Sequence, residues 1–263
     1  MRNTQGTPIW YELQSTDPDA SKAFYQQVIG WSVAEPNPDM DYRMIETGQG
    51  AVGGMMRLTA EMQAGGARPG WLFYLGVDDV DATATAIHQA GGAIVMGPWD
   101  MPGVGRMAVA TDPQGLPFYV MRGDADAAST VFDRTGMGKC NWNELITPDQ
   151  ASANAFYATV FGWRHPDKMT MPPPLGDYWF VQVGDTTIGA TMQHGEGYPG
   201  AHLPRGWRFY FRVPDINAAA AQVTAAGGTV VMGPETVPGG DRIILATDPH
   251  GAVFGAIGPG DAA

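Results

Sequence analysis

Two glutamates stand in otherwise apolar segments of the chain, and each follows a tryptophan by two positions. Glu12 follows Trp10, and Glu144 follows Trp142. Both segments are predicted to be β-strands, in which side chains alternate, so each tryptophan and glutamate pair projects to one face. Burial of a carboxyl group on such a face is costly unless the group is hydrogen-bonded or paired, and it raises the pKa of that group.

Two roles stay open for Glu12 and Glu144. In the first, the carboxylate is structural and bonds to backbone N–H groups or to an arginine such as Arg106 or Arg242. In the second, it contacts a ligand or acts as a general acid or base on a bound carbonyl or phenol, which a raised pKa would favour.

Aromatic side chains form the second candidate feature. Core packing is one interpretation. The other is that one face of each strand lines a cavity, because alternation cannot bury both faces against one helix layer. An aromatic-lined cavity with few polar groups suits a flat, apolar or amphipathic small molecule. The candidate ligand contacts are Trp10, Tyr42, Trp71, Phe73, Tyr119, Trp142, Tyr178, Trp207, Phe209 and His194.

The segments that carry these residues occur twice in the chain. Such a repeat, with its members in the same order, indicates a duplicated domain. We predict a first domain over 1–123, a linker over 124–139 and a second domain over 140–263. The repeated pairs are Phe24-Tyr25 with Phe156-Tyr157, Gly30-Trp31 with Gly162-Trp163, Gly70-Trp71 with Gly206-Trp207, and Asp112-Pro113 with Asp248-Pro249.

Each half contains the order β-α-β-β-β two times. Asp17 is predicted to cap a helix that has Pro18 at its first position, and Asp79 to cap a second helix that runs through Gln89. The segment from Asp112 to Gly115 predicts a tight turn between the last two strands.

This order of motifs resembles the vicinal oxygen chelate superfamily, which includes glyoxalase I, bleomycin and fosfomycin resistance proteins and extradiol dioxygenases. The resemblance covers 8–118 and 140–254. It implies an α+β fold of two tandem glyoxalase-like domains. Each domain would consist of two βαβββ modules that form a cup-shaped open barrel, with the ligand or metal inside the cup.

Metal-dependent members of the superfamily place His, Gln or Glu ligands on first strands and near the ends of last strands. The matching positions here hold Trp10, Tyr119, Trp142 and Gly255, and the opening strands of the second modules hold Leu72 and Arg208. Transition metals prefer imidazole and carboxylate donors in a compact set. We therefore predict no cofactor, and a divalent metal held by other residues is the alternative.

Charge and composition restrict the partners. The 263 residues include 27 acidic and 15 basic ones, for a net charge of −12, which argues against nucleic acid and an anionic membrane surface. The single cysteine, Cys140, excludes an internal disulfide and is expected to be a small buried residue. Because the sequence shows no signal peptide and no long apolar run, we expect a cytoplasmic protein. We expect it to be a monomer or a homodimer.

Three functional hypotheses follow. The first is a glyoxalase-like or bleomycin-resistance-like protein that binds a small, flat or amphipathic molecule without a metal. The second is a metal-free enzyme, hydroxylase-like or glyoxalase-like by resemblance, in which Glu12 or Glu144 provides acid–base catalysis. The third is a metal-dependent lyase or dioxygenase.

Overall fold

The computed structural model describes residues 2–37, 40–195, 197–198 and 200–260. The first half contains β1 (Thr7–Ser15), α1 (Pro18–Val28), β2 (Ser32–Val33), β3 (Tyr42–Thr47), β4 (Gly50–Arg57), α2 (Ala60–Ala64), β5 (Gly70–Gly76), α3 (Val80–Gln89), β6 (Ala93–Met101), β7 (Gly105–Thr111) and β8 (Pro117–Gly123). The second half contains β9 (Cys140–Thr147), α4 (Gln150–Phe161), β10 (Lys168–Thr170), β11 (Asp177–Val183), β12 (Thr186–Gln193), β13 (Gly206–Arg212), α5 (Ile216–Ala225), β14 (Thr229–Thr236), β15 (Arg242–Thr247) and β16 (Val253–Gly258).

Each half forms one open eight-stranded sheet. The strand orders are β2-β3-β4-β1-β5-β8-β7-β6 and β10-β11-β12-β9-β13-β16-β15-β14, so the two sheets share one topology. In every module the first strand pairs in parallel with the last, as β1 does with β4 and β9 with β12. The predicted α+β fold with four βαβββ modules is confirmed, and α2 is an additional short helix that the pattern did not predict.

The module helices begin where the sequence predicts. Asp17 accepts a hydrogen bond from the backbone N–H of Ala20 at 3.2 Å, and Asp79 accepts one from Ala82 at 3.0 Å. These caps satisfy backbone donors that a helix start leaves unpaired. Helices α4 and α5 begin in the same way, after Asp149 and Asp215. None of the helices in the described ranges is long and apolar enough to cross a membrane.

The chain divides into two compact units, and each unit combines segments from both halves. The first comprises Met1–Trp10, Leu72–Thr130 and Asn143–Trp207, and the second comprises Tyr11–Trp71, Val131–Trp142 and Arg208–Ala263. The predicted limits 1–123, 124–139 and 140–263 follow the sequence repeat and stay a prediction.

The repeated motifs form a buried hydrogen-bonded core in the first unit. The Tyr157 hydroxyl donates to Asp112 Oδ2 at 3.4 Å and accepts from Trp207 Nε1 at 3.0 Å. Asp112 Oδ1 accepts from the backbone N–H groups of Gln114 and Leu116, which fixes the predicted turn. Burial raises the pKa values of Tyr157 and Asp112.

The second unit contains the equivalent arrangement. The Tyr25 hydroxyl donates to Asp248 Oδ2 at 3.4 Å and accepts from Trp71 Nε1 at 2.9 Å. Burial raises the pKa of Tyr25 well above its ordinary value and also raises the pKa of Asp248. The residues that carry the family resemblance therefore serve the packing of each unit.

Cys140 is 1% exposed, as the sequence predicts. Its Sγ donates to the carbonyl of Trp142 at 3.3 Å. Burial raises the pKa of the thiol to about 12, so the group stays protonated at neutral pH.

Candidate functional site

The carboxyl group of Glu144 is bonded to two tyrosines in the first unit. The Tyr178 hydroxyl donates to Oε1 at 3.0 Å, and the Tyr198 hydroxyl donates to Oε2 at 3.4 Å. Glu144 is only 7% exposed. The two phenol donors offset part of the cost of burying this carboxyl group.

The sheet explains why Tyr178 reaches Glu144. Strand β12 lies between β11 and β9, and Ala190 of β12 is the Cα partner of both Glu144 and Phe180. Tyr178 is two residues before Phe180, so it projects to the same face as Ala190 and Glu144. Tyr178 and Glu144 therefore meet on one face of the sheet, from the two strands that flank β12.

Apolar side chains pack around the carboxyl group of Glu144. Ile146 and Met192 are buried against Tyr198, and Met171, Leu175 and Ala201 pack against them from the neighbouring loops. Ile146 follows Glu144 by two positions on β9 and therefore lies on its face. We call the carboxyl group, its two tyrosines and this lining the Glu144 site.

His194 lies at the start of the connection that carries Tyr198. Its backbone N–H donates to the Thr147 carbonyl at 2.7 Å, and its ring Nε2 lies 3.2 Å from the carbonyl oxygen of Ala201. His194, a predicted ligand contact, thus holds this connection at two points. Its backbone bonds to the end of β9, and its ring bonds to Ala201 further along the connection. These bonds hold Ala201 in the lining of the Glu144 site.

Glu12 occupies the equivalent place in the second unit. It is 1% exposed, and Gln14 Nε2 donates to its Oε1 at 3.4 Å. Its Cα partner on β4 is Gly54, where a Cβ atom would overlap the Tyr42 hydroxyl. The Tyr42 side chain therefore lies against the backbone of Gly54, on the strand face that carries Glu12. This contact requires a glycine at position 54, whereas the equivalent position in the second half is Ala190.

The two arginines suggested as partners of the glutamates bind elsewhere. Arg106 forms ion pairs with Asp81 at 2.7 Å and Asp100 at 3.1 Å. Arg242 donates to Asn217 Oδ1 at 2.9 Å and to the carbonyl of Pro234 at 2.7 Å. These two arginines are therefore not the partners of Glu12 and Glu144, and a structural role of the glutamates stays a prediction.

Two predicted aromatic contacts meet around a tyrosine that the sequence reasoning did not select. Tyr74 and Tyr119 stack in the first unit with ring centroids 4.1 Å apart and planes at 1°. Trp10 and Leu72 pack against this pair. Alternation along β5 puts Leu72 and Tyr74 on one face. Tyr74 is the cross-strand partner of Tyr119, so pairing β5 with β8 in this register would have identified it.

Four other predicted contacts pack in the cores of the units. Trp71 lies 4.9 Å from Phe211 between ring centroids, and Phe209 lies 5.2 Å from Tyr11, all within the second unit. In the first unit Phe73 lies 4.7 Å from Trp207. Their surroundings agree with the core-packing interpretation left open above.

Trp142 contacts a cation in the second unit. The Arg134 guanidinium lies 5.0 Å from the centroid of the Trp142 ring, within the range of a cation–π interaction. This predicted ligand contact is half-buried, and its ring is held by a neighbour from the segment before β9.

Both halves of the chain match one family model. The model of the Glyoxalase/Bleomycin resistance protein/Dioxygenase superfamily matches residues 8–120 and 139–255. The chain belongs to this superfamily. The resemblance inferred from the repeated motifs is thereby confirmed.

Relatives with known names span nearly all of this superfamily member. CFP32 of Mycobacterium tuberculosis (strain CDC 1551 / Oshkosh) is 34% identical over 97% of this chain and 95% of that protein. The anthracycline biosynthesis protein DnrV of Streptomyces peucetius is 32% identical over 97% of this chain and 94% of that protein.

Two solved structures share the fold of this chain. The Mn(II)-bound glyoxalase from Novosphingobium aromaticivorans has a TM-score of 0.65 and 19% identity, over 99% of this chain and 83% of that one. The 2,3-dioxygenase LapB from Pseudomonas sp. KL28 has a TM-score of 0.65 and 13% identity, over 99% and 94%.

The side chains at the positions matched to superfamily metal ligands do not fit a divalent metal. Trp10, Tyr119, Trp142 and Gly255 provide no imidazole or carboxylate. At Gly255 a Cβ atom would overlap the ring of Tyr210, which fills that place in the second unit. Within the described ranges no three His, Cys, Asp or Glu side chains form a group that could hold a metal.

Proposed function

We propose that this superfamily member binds a small, flat or amphipathic organic molecule at the Glu144 site, without a metal. One observation carries the proposal. A buried carboxyl group that accepts from two phenols stands beside a cluster of apolar side chains.

The composition of the site supports this class of ligand. Binding sites for small molecules are mostly apolar and contain a few polar groups that fix orientation. Here the apolar side chains of Ile146, Met192 and Leu175 pack together around the site, and Glu144 provides a hydrogen-bond acceptor. Methionine side chains such as Met171 and Met192 adapt to different shapes, which suits ligands with flat ring systems.

The proposal does not include a metal because of the donor chemistry. A divalent ion would need several imidazole or carboxylate ligands, and the matched positions provide tryptophan, tyrosine and glycine. The ligand would instead be oriented by hydrogen bonding to Glu144 and by contact with the apolar lining.

Acid–base catalysis by Glu144 is the second candidate function. The observation that favours it is the direct bond between Glu144 and Tyr178, because this pair could exchange a proton with a bound phenol or carbonyl. Binding and catalysis differ in their products. Mass spectrometry of a ligand recovered after incubation with the protein distinguishes them.

A thermal-shift screen tests the proposal. Flat aromatic and amphipathic metabolites are added to wild type, Glu144→Gln and Glu235→Gln, where Glu235 is an exposed control. A ligand at 100 times its Kd stabilises the folded state by about 2.7 kcal/mol. We expect wild type and Glu235→Gln to gain equally and Glu144→Gln to gain less. Equal gains in all three proteins would contradict the proposal, as would the lack of any stabilising compound.

A further inference from the structure

A cleft in the second unit lies where the end of α1 packs beside the start of α5. Its volume is about 180 Å³, and it is open to solvent at Gly30 and Pro214, which are exposed. An apolar cavity of about 150 Å³ is large enough to bind benzene. The cleft therefore has room for one aromatic ring. The buried apolar residues of its lining, which we call its floor, are Val28, Ile29, Val213 and Ala219.

The equivalent place in the first unit holds larger side chains. The internal repeat matches Ile29 to Phe161 and Ala219 to Thr83. The Phe161 ring is 2% exposed, and its centroid lies 6.0 Å from that of the Trp163 ring. The second unit thus has a smaller side chain at both positions, and both of these smaller side chains line the cleft.

A covering side chain of the first unit also has a different counterpart in the second. In the first unit, Gln5 Oε1 accepts from the backbone N–H of Asp78 at 2.9 Å, just before α3. The repeat matches this pair to Met137 and Pro214. Proline has no N–H to donate. Met137 is 43% exposed and is not part of the cleft lining. The edge of the cleft at Pro214 therefore lacks the contact that covers Asp78.

The rim of the cleft is polar and carries one negative charge. Gln27 Nε2 donates to Gln222 Oε1 between α1 and α5. Asp215 is the only charged residue in the described lining. Its Oδ1 accepts from the backbone N–H groups of Asn217 at 2.8 Å and Ala218 at 3.0 Å, and among the described residues no donor bonds to Oδ2. This carboxylate complements a cation and repels an anion.

We propose that this cleft binds a small aromatic amine, with its ring on the apolar floor and its ammonium group beside Asp215. The ring would take the volume that Phe161 and Thr83 fill in the first unit. Burial of the ring would provide most of the affinity, and the ion pair with a partly exposed carboxylate would add a smaller part. The inference goes beyond the proposed function, because the cleft shares no residue with the Glu144 site.

The test measures binding of 2-phenylethylamine to the full chain by isothermal titration calorimetry. Two variants, Ile29→Phe and Ala219→Thr, introduce the larger side chains of the first unit. We expect Ile29→Phe to weaken binding about tenfold or more, because the added ring takes the place of the ligand ring. Ala219→Thr should weaken binding about threefold or more for the same reason. The matched control Ile29→Leu conserves the volume and should bind within about twofold of wild type.

Asp215→Asn tests the contact with the ammonium group. Asparagine is also a good helix N-cap, so this variant removes the charge and keeps the cap of α5. We expect it to bind 2-phenylethylamine about two- to fivefold more weakly than wild type. Asp79→Asn, at the equivalent cap of α3 in the first unit, is the control and should bind as wild type does. Wild type should bind 3-phenylpropionate, the anionic analogue, more weakly than the amine.

Four results would overturn the inference. If wild type does not bind 2-phenylethylamine, the cleft is not a site for aromatic amines. Unchanged binding in both Ile29→Phe and Ala219→Thr would place the amine elsewhere on the protein. Unchanged binding in Asp215→Asn would remove the ammonium contact, and so would equal affinity for the amine and 3-phenylpropionate. Circular dichroism checks that each variant folds, and Ala219→Thr decides if Ile29→Phe does not. The metabolite screen with Glu144→Gln tests the proposed function separately.

Discussion

Removal of the Tyr157 hydroxyl tests the buried network of the first unit. In Tyr157→Phe, the indole N–H of Trp207 and the Oδ2 atom of Asp112 both lose the hydroxyl that bonds them. A buried polar group that loses its partner costs about 1 to 3 kcal/mol. Because the bond to Asp112 is long, we expect the free energy of unfolding to fall by about 2 to 4 kcal/mol in total.

The pH dependence of this loss provides a second readout. Burial raises the pKa of Asp112, and the Tyr157 hydrogen bond lowers it. A carboxyl group whose folded pKa is raised contributes stability below its unfolded pKa, near 3.9, and loses that contribution as the pH rises through the folded pKa. Tyr157→Phe raises the folded pKa of Asp112 further, so its destabilisation should be larger at pH 7 than at pH 4.

Urea denaturation followed by circular dichroism at the two pH values measures both effects. The matched control is Tyr25→Phe, which removes the equivalent hydroxyl between Trp71 and Asp248 in the second unit and should behave similarly. A loss in Tyr157→Phe below about 0.5 kcal/mol, less than a typical net hydrogen bond, would refute the reasoning. So would a loss that is equal at pH 4 and pH 7.

Three further predictions follow from buried groups. Cys140, whose thiol pKa is raised to about 12, should resist iodoacetamide in the native protein and react fully in urea, as mass spectrometry would show; rapid native alkylation would contradict its burial. Gly255→Ala should lower the melting temperature, because the added Cβ atom would overlap the Tyr210 ring. Gly251→Ser, at an open turn with positive φ, is the control that tests backbone strain alone. An unchanged melting temperature in Gly255→Ala would mean that the Tyr210 ring moves freely. Burial lowers the pKa of His165 below its unfolded value, so its contribution to stability is present above about pH 6.5 and is lost as the pH falls. His165→Gln should therefore flatten the dependence of melting temperature on pH between 7 and 5, and an unchanged slope would argue against it.

Local sequence patterns determined the modules of this protein. An Asp cap before Pro18, the glycine after a helix and the Asp-Pro-x-Gly turn each depend on contacts within a few residues. Such contacts are readable in the sequence, because the chain brings these groups together without any distant partner. The duplication then extended each of these inferences to the second half.

The choice between the two faces of a strand required the tertiary structure. Strand β5 carries apolar side chains on both faces, and alternation alone does not say whether Phe73 or Tyr74 faces the core. In the structure Phe73 packs against Trp207 on one face of β5, and Tyr74 stacks on Tyr119 on the other face.

The environment of Glu144 depended on distant residues. Its position on the same strand face as Trp142 was predicted from the sequence, and its burial was expected only if that face points into the cup that the family resemblance implies. Tyr198 comes from a connection 54 residues away in the chain, and no periodic pattern marks a loop residue that folds onto a strand. The sequence therefore placed the carboxyl group on a strand face, and the tertiary structure decided its burial and its donors, because hydrogen-bond partners across a sheet are set by register and loop path.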